Sequence, residues 1–123
     1  MIENNYKQKI IESIELNIKV LENGIKVIEK NLKSEKELDL NLKEQLLEAC
    51  SLLEIAIYRA TLYRVCISKK ELRSKLENIN KNLNTTVVVE NKTIEFTHIL
   101  SYKIISLLTW NDTLYIVGLF LNF

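Results

Sequence analysis

Apolar residues recur at spacings of three and four from about Tyr6 to Leu32. This period places them on one face of an α-helix, with lysines and glutamates on the other face, and predicts one long amphipathic helix. The same stripe would also suit an intermolecular coiled coil, but Asn17 and Gly24 interrupt it, so packing within the chain is the better interpretation. The predicted core positions are Ile10, Ile14, Ile18, Leu21, Ile25, Ile28 and Leu32.

The stretch from Leu42 to Cys66 is apolar almost all the way round a helix, which is typical of a helix that is buried on several sides. Its small alanines would let a neighbouring helix approach to the short end of the usual interaxial range of about 8–10 Å. We therefore predict a central helix that is packed by at least two partners. Its core stripe consists of Leu42, Leu46, Ala49, Leu53, Ala56, Ile57 and Ala60.

The same central stretch carries Glu48, Glu54, Arg59 and Arg64. An ionised side chain needs water or a partner, so the simplest interpretation is that each of these charges reaches solvent. A sharper hypothesis is that the arginines bind an anion or a protein partner together with flanking tyrosines, because Arg and Tyr are enriched at binding hot spots. The candidate binding residues are Tyr58, Arg59, Tyr63 and Arg64.

A third, shorter helix is predicted after Ser68, where the sequence Ser68-Lys69-Lys70-Glu71 fits a capping box. Leu72, Leu76, Ile79 and Leu83 then continue at helical spacing. The basic side chains of this helix are interleaved with glutamates, which is typical of a solvated face. Two further capping boxes, Ser34 to Glu37 and Asn41 to Glu44, leave the start of the central helix open.

The pattern changes at Thr85, where a β-branched run extends to Val89 and a second β-prone run follows from Thr93 to Phe96. Asn91-Lys92 lies between the two runs and provides a weak turn signal. These features predict a β-hairpin. An isolated hairpin is marginally stable in water, so we expect it to lie against the helices.

The C-terminal part is the most ambiguous. Residues 98–109 fit a helix capped by Thr97 better than a strand, Trp110 to Thr113 resembles a turn, and Leu114 to Leu121 fits a buried strand or a closing helix. Such an apolar end is rarely left unpaired, which predicts a dimer or partner interface. The interface candidates are Trp110, Tyr115, Leu119, Phe120 and Phe123. Membrane insertion is not expected, because Asn111 and Asp112 fall near the middle of the longest apolar run.

Composition narrows the possible functions. The chain has 123 residues, 17 basic and 16 acidic side chains and a formal net charge of +1, so no nucleic-acid partner is expected. Cys50 and Cys66 would lie roughly 24 Å apart on one helix, too far for a disulfide. Two free cysteines among apolar neighbours and the lack of an apolar signal core near Met1 indicate a reducing, cytoplasmic location.

No recognised catalytic chemistry is visible in the sequence. His98 is the only histidine, neither cysteine lies in a CxxC pair, and two glycines cannot build a phosphate-binding loop. We therefore expect no cofactor and no metal, and we assign no catalytic residue.

These observations predict a mainly α protein with a small β part, of the α+β class. A bundle of about three antiparallel helices (residues 1–83) is followed by a hairpin and an apolar closing segment (84–123) in a single domain. We expect a non-enzymatic protein-interaction module, such as a stoichiometric inhibitor or an antitoxin-like or immunity-like protein. Its partner would be a protein, and homo-oligomerisation is a companion prediction. The alternative is a small-anion or nucleotide-binding protein that uses Arg59 and Arg64.

Overall fold

Four α-helices form the part of the chain that the computed structural model describes, which is residues 2–34, 37–86 and 91–121. Side chains are described for residues 5–34, 37–85 and 95–120. The helices are α1 (Ile2–Lys33), α2 (Leu40–Leu62), α3 (Lys69–Thr86) and α4 (Asn91–Leu121). The predicted long first helix, central helix and shorter third helix are therefore confirmed, and a fourth helix replaces the predicted β part.

The four helices pack in a square, in which α1 and α4 each contact both α2 and α3. α1 and α2 run antiparallel, because the Tyr6 ring meets Tyr63 and Gly24 lies against Leu46. α3 and α4 are also antiparallel, since Asn111 near the end of α4 reaches Lys69 at the start of α3. The result is an up-down-up-down bundle in which α1 and α3 form one side and α2 and α4 form the opposite side.

One continuous hydrophobic core lies between these two sides. The stripes predicted for the first three helices are buried, except that Leu32 and Leu42 are only partly buried. The core positions of α4 follow the same helical spacing and include the polar residue Asn111, and polar Thr97 is buried beside Phe96 in the same helix. These core positions are Phe96, Leu100, Ile104, Leu107, Asn111 and Leu114.

The predicted hairpin is wrong for the residues that the structure describes. Thr85 and Thr86 belong to α3, residues 93–96 belong to the first turns of α4, and residues 87–90 lie outside the described part. A hairpin would bury only one face of two short strands, whereas a helix places Phe96 and Leu100 directly on the core. Burial along the whole of α4 therefore overrides the local β propensity of its first residues.

The predicted turn at Trp110 to Thr113 is also wrong, and so is the strand alternative for Leu114 to Leu121. Both segments are interior parts of α4, and the preference for helix over residues 98–109 is confirmed. Asn111 fits the helix because its side-chain amide donates a 3.0 Å hydrogen bond to the Lys69 carbonyl oxygen. Ile99, in the segment of residues 98–109, is exposed.

The helix ends correct two smaller predictions. α2 starts at Leu40 with Asp39 as its N-cap, whose carboxylate accepts from the Asn41 backbone N–H, so the helix begins at neither Ser34 nor Asn41. Ser68 does cap α3, because its hydroxyl oxygen accepts from the Glu71 backbone N–H. Since α2 ends at Leu62, Cys66 lies beyond it rather than in the same helix as Cys50, and both cysteines are free.

Candidate interaction surface

The side of the bundle formed by α1 and α3 has a charged outer surface. Along α1, Lys33 pairs with Glu29 at 3.3 Å, and along α3, Arg73 pairs with Glu77 at 2.7 Å. Such exposed pairs contribute little to stability, but their charges keep the surface well hydrated. This side therefore resembles the solvent-exposed surface of an ordinary bundle.

The opposite side, formed by α2 and α4, carries exposed apolar side chains. Both helices bury one face in the core and also present large apolar residues on the other face, so neither is amphipathic in the usual sense. We call these residues the apolar face. They are Leu52, Ile55, Tyr58 and Leu62 on α2, and Ile99, Tyr102, Ile105, Ile116, Val117, Leu119 and Phe120 on α4.

Seven residues of α4 form a regular line along its outer surface, with alternating spacings of three and four. We call this line the α4 stripe. Large side chains occupy both of its ends and small hydroxyl side chains occupy its middle. Its members are Ile99, Tyr102, Ser106, Thr109, Thr113, Ile116 and Phe120, all of which are exposed.

The α4 stripe itself carries no charge. Between residues 99 and 121 the only charged residues are Lys103 and Asp112. Asp112 is directed toward α3, where its carboxylate forms a 2.8 Å ion pair with the Arg73 guanidinium. Lys103 lies close enough to Cys50 of α2 for its charge to act on the thiol. Both charges therefore flank the stripe and leave its centre neutral.

A groove of about 570 Å³ runs between α2 and α4 on this side of the bundle. Its walls include Ser51 and Glu54 of α2 together with Tyr102 and Trp110 of α4. The Trp110 indole N–H donates a 3.0 Å hydrogen bond to the Glu54 carbonyl oxygen, which fixes the ring against α2. The groove is thus bordered by two aromatic side chains, one of which is held in place.

The four candidate binding residues of the central helix do not all face the same neighbour. Tyr58 stacks on Trp110 of α4 with ring centroids 6.1 Å apart, whereas Tyr63 meets Tyr6 of α1 edge to face at 5.0 Å. Arg59 is exposed in the last turn of α2, and Arg64 is exposed just beyond its end. Glu48 and Glu54 are exposed too, so the four charges of this stretch lie at the surface.

Arg64 has an unusual backbone conformation, with a φ of 54°, and is the one non-glycine residue with positive φ among those described. The Val65 N–H donates to the Ala60 carbonyl oxygen at 2.8 Å, and the Arg64 N–H donates to Thr61. These two bonds define a Schellman motif with Arg64 at the position that glycine usually occupies. Val65 is consequently turned into the core.

A cleft of about 330 Å³ lies where α2 ends, α3 begins and α4 ends. Arg64, Lys69, Tyr115 and Leu119 line it, so the structure brings one binding candidate together with two interface candidates. The Lys69 ammonium donates a 2.5 Å hydrogen bond to the Thr61 hydroxyl oxygen. Partial burial lowers the pKa of Lys69 to about 8, because a charged amine is less well solvated there.

The remaining interface candidates are distributed along α4. Trp110 is partly buried against α2, Leu119 and Phe120 are exposed, and Phe123 lies outside the described residues. Four exposed apolar residues of α4 were not among the predicted interface candidates: Ile99, Tyr102, Ile105 and Ile116. The turn predicted at residues 110–113 separated Ile116 from the other three. The signal was present in the sequence: the three-and-four spacing of the α4 stripe continues through the predicted turn without interruption.

The part of the chain that the structure describes contains no cluster of three or more His, Cys, Asp or Glu side chains that could hold a metal ion. His98 is exposed on the outside of α4. Burial raises the pKa of the Cys50 thiol to about 11, against a smaller lowering by Lys103, so this thiol stays protonated and weakly nucleophilic at neutral pH.

Comparison of the chain with protein-family models, with curated proteins and with solved structures finds no match. Over the described ranges, none of the four helices combines the length and the apolarity that crossing a membrane requires.

Proposed function

We propose that this protein is a non-enzymatic interaction module that binds a protein partner through the apolar face of α2 and α4. The observation that carries this proposal is the contrast between the two sides of the bundle. Exposed single apolar residues are common, but a set that follows two neighbouring helices on one side is characteristic of an interaction surface. The core does not require these residues, because α2 and α4 already bury a complete stripe.

The composition of the apolar face also favours a protein partner. Tyr58, Tyr102 and Phe120 supply large aromatic side chains, which are enriched among the residues that dominate binding energy. The groove between α2 and α4 offers a concave site beside them, suited to an apolar side chain or a helix of the partner. A role as a stoichiometric inhibitor, antitoxin-like or immunity-like protein would use such a surface without catalytic residues.

The test is a comparison of matched surface variants in affinity capture followed by hydrogen–deuterium exchange. The double variant Ile55→Lys and Tyr102→Lys places charges on the apolar face. The control, Leu16→Lys and Val27→Lys, makes the same number of exposed apolar-to-lysine changes on α1. We expect a partner from the producing cells to bind the wild type and the control and to lose at least about tenfold in affinity for the face variant.

In the complex, residues 52–62 and 99–120 should gain protection from exchange while the outer surface of α1 should not. Equal capture by the face variant and the control would contradict the proposal, and so would protection confined to α1 and α3. Far-UV circular dichroism and a thermal scan of each variant establish that the fold is retained.

A second candidate function is the binding of a small anion in the cleft beside Arg64 and Lys69. The specific observation in its favour is that these two cationic side chains line one cleft together with the Tyr115 ring. Thermal stabilisation by inorganic phosphate or by nucleotides that is lost in Arg64→Ala and Lys69→Ala would support it. Arg59→Ala and Lys70→Ala are the matched controls, and a flat response of the wild type would reject the candidate.

A further inference from the structure

We propose that a second copy of this chain binds on the apolar face, and that the two copies pack through their α4 stripes in an antiparallel arrangement with two-fold symmetry. This inference rests on the proposed function and deepens it by naming the partner. Its basis is the distribution of large and small side chains along the stripe, which reads nearly the same from both ends.

The order along the α4 stripe is two large residues, three small residues and two large residues. A two-fold interface must be self-complementary, because a residue i of one copy that contacts residue j of the second copy requires that residue j of the first copy contacts residue i of the second. Antiparallel packing centred on Thr109 satisfies this condition at every position. The resulting pairs are Ile99 with Phe120, Tyr102 with Ile116, Ser106 with Thr113, and Thr109 with the same residue of the second copy.

The small residues in the middle define where the helices would cross. Two helices that cross at an angle are closest at one point and diverge toward both ends. Ser106, Thr109 and Thr113 allow close approach at that point, and the large side chains fill the widening gaps on either side. The stripe extends from Ile99 to Phe120, or roughly 32 Å of helix, which is long enough for such a crossing.

The polar atoms of the threonines do not oppose burial. The Thr109 hydroxyl donates to the Ile105 carbonyl oxygen at 3.2 Å, and the Thr113 hydroxyl donates to the Thr109 carbonyl oxygen at 2.8 Å. Both hydroxyl donors are satisfied within α4 itself, so a second helix covering them leaves no unpaired donor. The methyl groups of these threonines are then available for apolar contact.

The charges that flank the stripe also permit the antiparallel arrangement. In this register Lys103 lies nearest Val117 of the second copy, and Asp112 lies nearest Ile105 of the second copy. No two like charges approach each other across the axis, and Asp112 keeps its ion pair with Arg73 of its own chain. Packing two copies therefore introduces no repulsion along the length of the stripe.

The area is sufficient for a stable dimer. Six large apolar residues of α4 lie on or beside the stripe and are each between 40 and 75 % exposed: Ile99, Tyr102, Ile105, Ile116, Val117 and Phe120. At roughly 150–200 Å² for a whole large side chain, they offer on the order of 500–680 Å² per copy. Two copies would bury up to about 1,000–1,350 Å², which reaches the roughly 1,000 Å² expected of a specific protein interface.

The first test is sedimentation equilibrium of the full chain at micromolar concentration, with two matched variants. Tyr102→Glu places a charge twice in the dimer, at a residue that is 71 % exposed in the monomer, so the fold should be retained. We expect the wild type and the control Leu16→Glu to sediment as dimers. The Tyr102→Glu variant should dissociate at least about tenfold more readily.

The second test is disulfide crosslinking, which reads the register directly. In a background of Cys50→Ala and Cys66→Ser, chains with Ser106→Cys are mixed with chains with Thr113→Cys. The antiparallel arrangement predicts a mixed-disulfide dimer and little crosslinking within either pure sample. Crosslinking of pure Ser106→Cys at equal efficiency would indicate a parallel pair and would overturn the proposed arrangement.

The two tests separate this inference from the proposed function. A wild type that sediments as a monomer at all concentrations refutes self-association. If that monomer still captures a different protein and loses it in the Ile55→Lys and Tyr102→Lys variant, the interaction module stands and only the second copy is wrong. Dimerisation that is unaffected by Tyr102→Glu would refute the α4 stripe as the interface.

Discussion

The two sides of the bundle differ in how their helices meet water. On the side formed by α1 and α3, each helix buries one apolar stripe and presents charged residues outward. On the side formed by α2 and α4, each helix buries an equally complete stripe but presents apolar residues outward as well. Both pairs contribute to the same core, so the difference lies entirely in their outer faces.

This contrast shows that an apolar residue is not always a buried residue in this molecule. On α1 and α3, most large apolar residues lie at core positions, and the exposed exceptions in the described part are Tyr6, Leu16 and Val27. On α2 and α4 the same type of residue is found on both faces, and only the packing separates the residues that stabilise the fold from those available for binding.

The largest effect should come from comparing two apolar residues of α2 that face opposite ways. Leu53 is fully buried whereas Ile55 is exposed. We expect Leu53→Ala to lower the free energy of unfolding by about 2–5 kcal/mol, because it removes buried apolar contacts and leaves a cavity. Ile55→Ala should cost less than about 0.5 kcal/mol. Urea denaturation measures both, and equal costs would mean that the outer face of α2 is also part of the folded core.

The next largest change in stability should come from substituting the two glycines, one on each side of the bundle. A Cβ on Gly24 would overlap the buried Leu46 side chain, whereas a Cβ on Gly118 would meet Thr61 at an ordinary 3.8 Å. We expect Gly24→Ala to destabilise by about 1–2 kcal/mol, since overpacking outweighs the gain in helix propensity. Gly118→Ala should stabilise by about 0.5–1 kcal/mol. The same sign for both variants in thermal unfolding would contradict this packing.

Lys69 tests whether a charge at the junction of α2, α3 and α4 opposes folding. Its pKa falls from 10.5 to about 8 on folding, so between these pH values the unfolded chain binds the proton more strongly. Stability should therefore rise with pH through this window as the folded-state amine loses its charge. Because the ammonium is about half exposed and solvent-screened, we expect the rise to be no more than about 1–2 kcal/mol.

The measurement is urea denaturation of the wild type and of Lys69→Met at pH 7 and pH 9.5. The variant should be more stable than the wild type at pH 7, and the difference should shrink at pH 9.5. Lys70→Met, at the neighbouring exposed lysine, is the control and should show no such change. A constant difference between wild type and Lys69→Met at both pH values would mean that the amine is not destabilised by burial.

The smallest effect concerns the end of α2. Arg64 adopts a positive φ that costs a residue with a Cβ about 1 kcal/mol or more relative to glycine. We expect Arg64→Gly to raise the free energy of unfolding by about 0.5–1 kcal/mol and Arg64→Ala to leave it nearly unchanged. If Arg64→Gly destabilises the protein, the contacts of the Arg64 side chain stabilise the fold by more than the positive φ of this residue costs.

The core of the first three helices was predictable because their apolar residues recur at spacings of three and four, which places them on one face of a helix. Ile10 to Ile28, Leu46 to Ala60 and Leu72 to Leu83 occupy the buried positions that their spacing predicts. Long helices are also consistent with a chain that contains no proline and only two glycines. The candidate surface was predictable only in part, since Tyr58, Trp110 and Phe120 were named while Tyr102 and Ile116 were not.

The fourth helix was missed because local signals opposed the global arrangement. β-branched residues before Asn91 favour strands, and Asn111 with Asp112 resembles a turn. Short segments of this region therefore predicted different secondary structures. In the structure, Asn111 is 1 % exposed and its amide is bonded to the first turn of α3, while Asp112 pairs with Arg73. Both side chains thus bond to another helix rather than within a turn.

The periodicity of apolar residues is enough to locate α1, α2 and α3 and to identify their buried faces, because hydrophobic burial at a period of 3.6 residues requires no knowledge of the packing partner. The tertiary structure alone decided that residues 91–121 form one helix and which of its two apolar faces enters the core. A helix that is apolar all round is compatible with several orientations on the bundle. The contacts of Asn111 and Asp112 with α3 select one of them and leave the α4 stripe exposed.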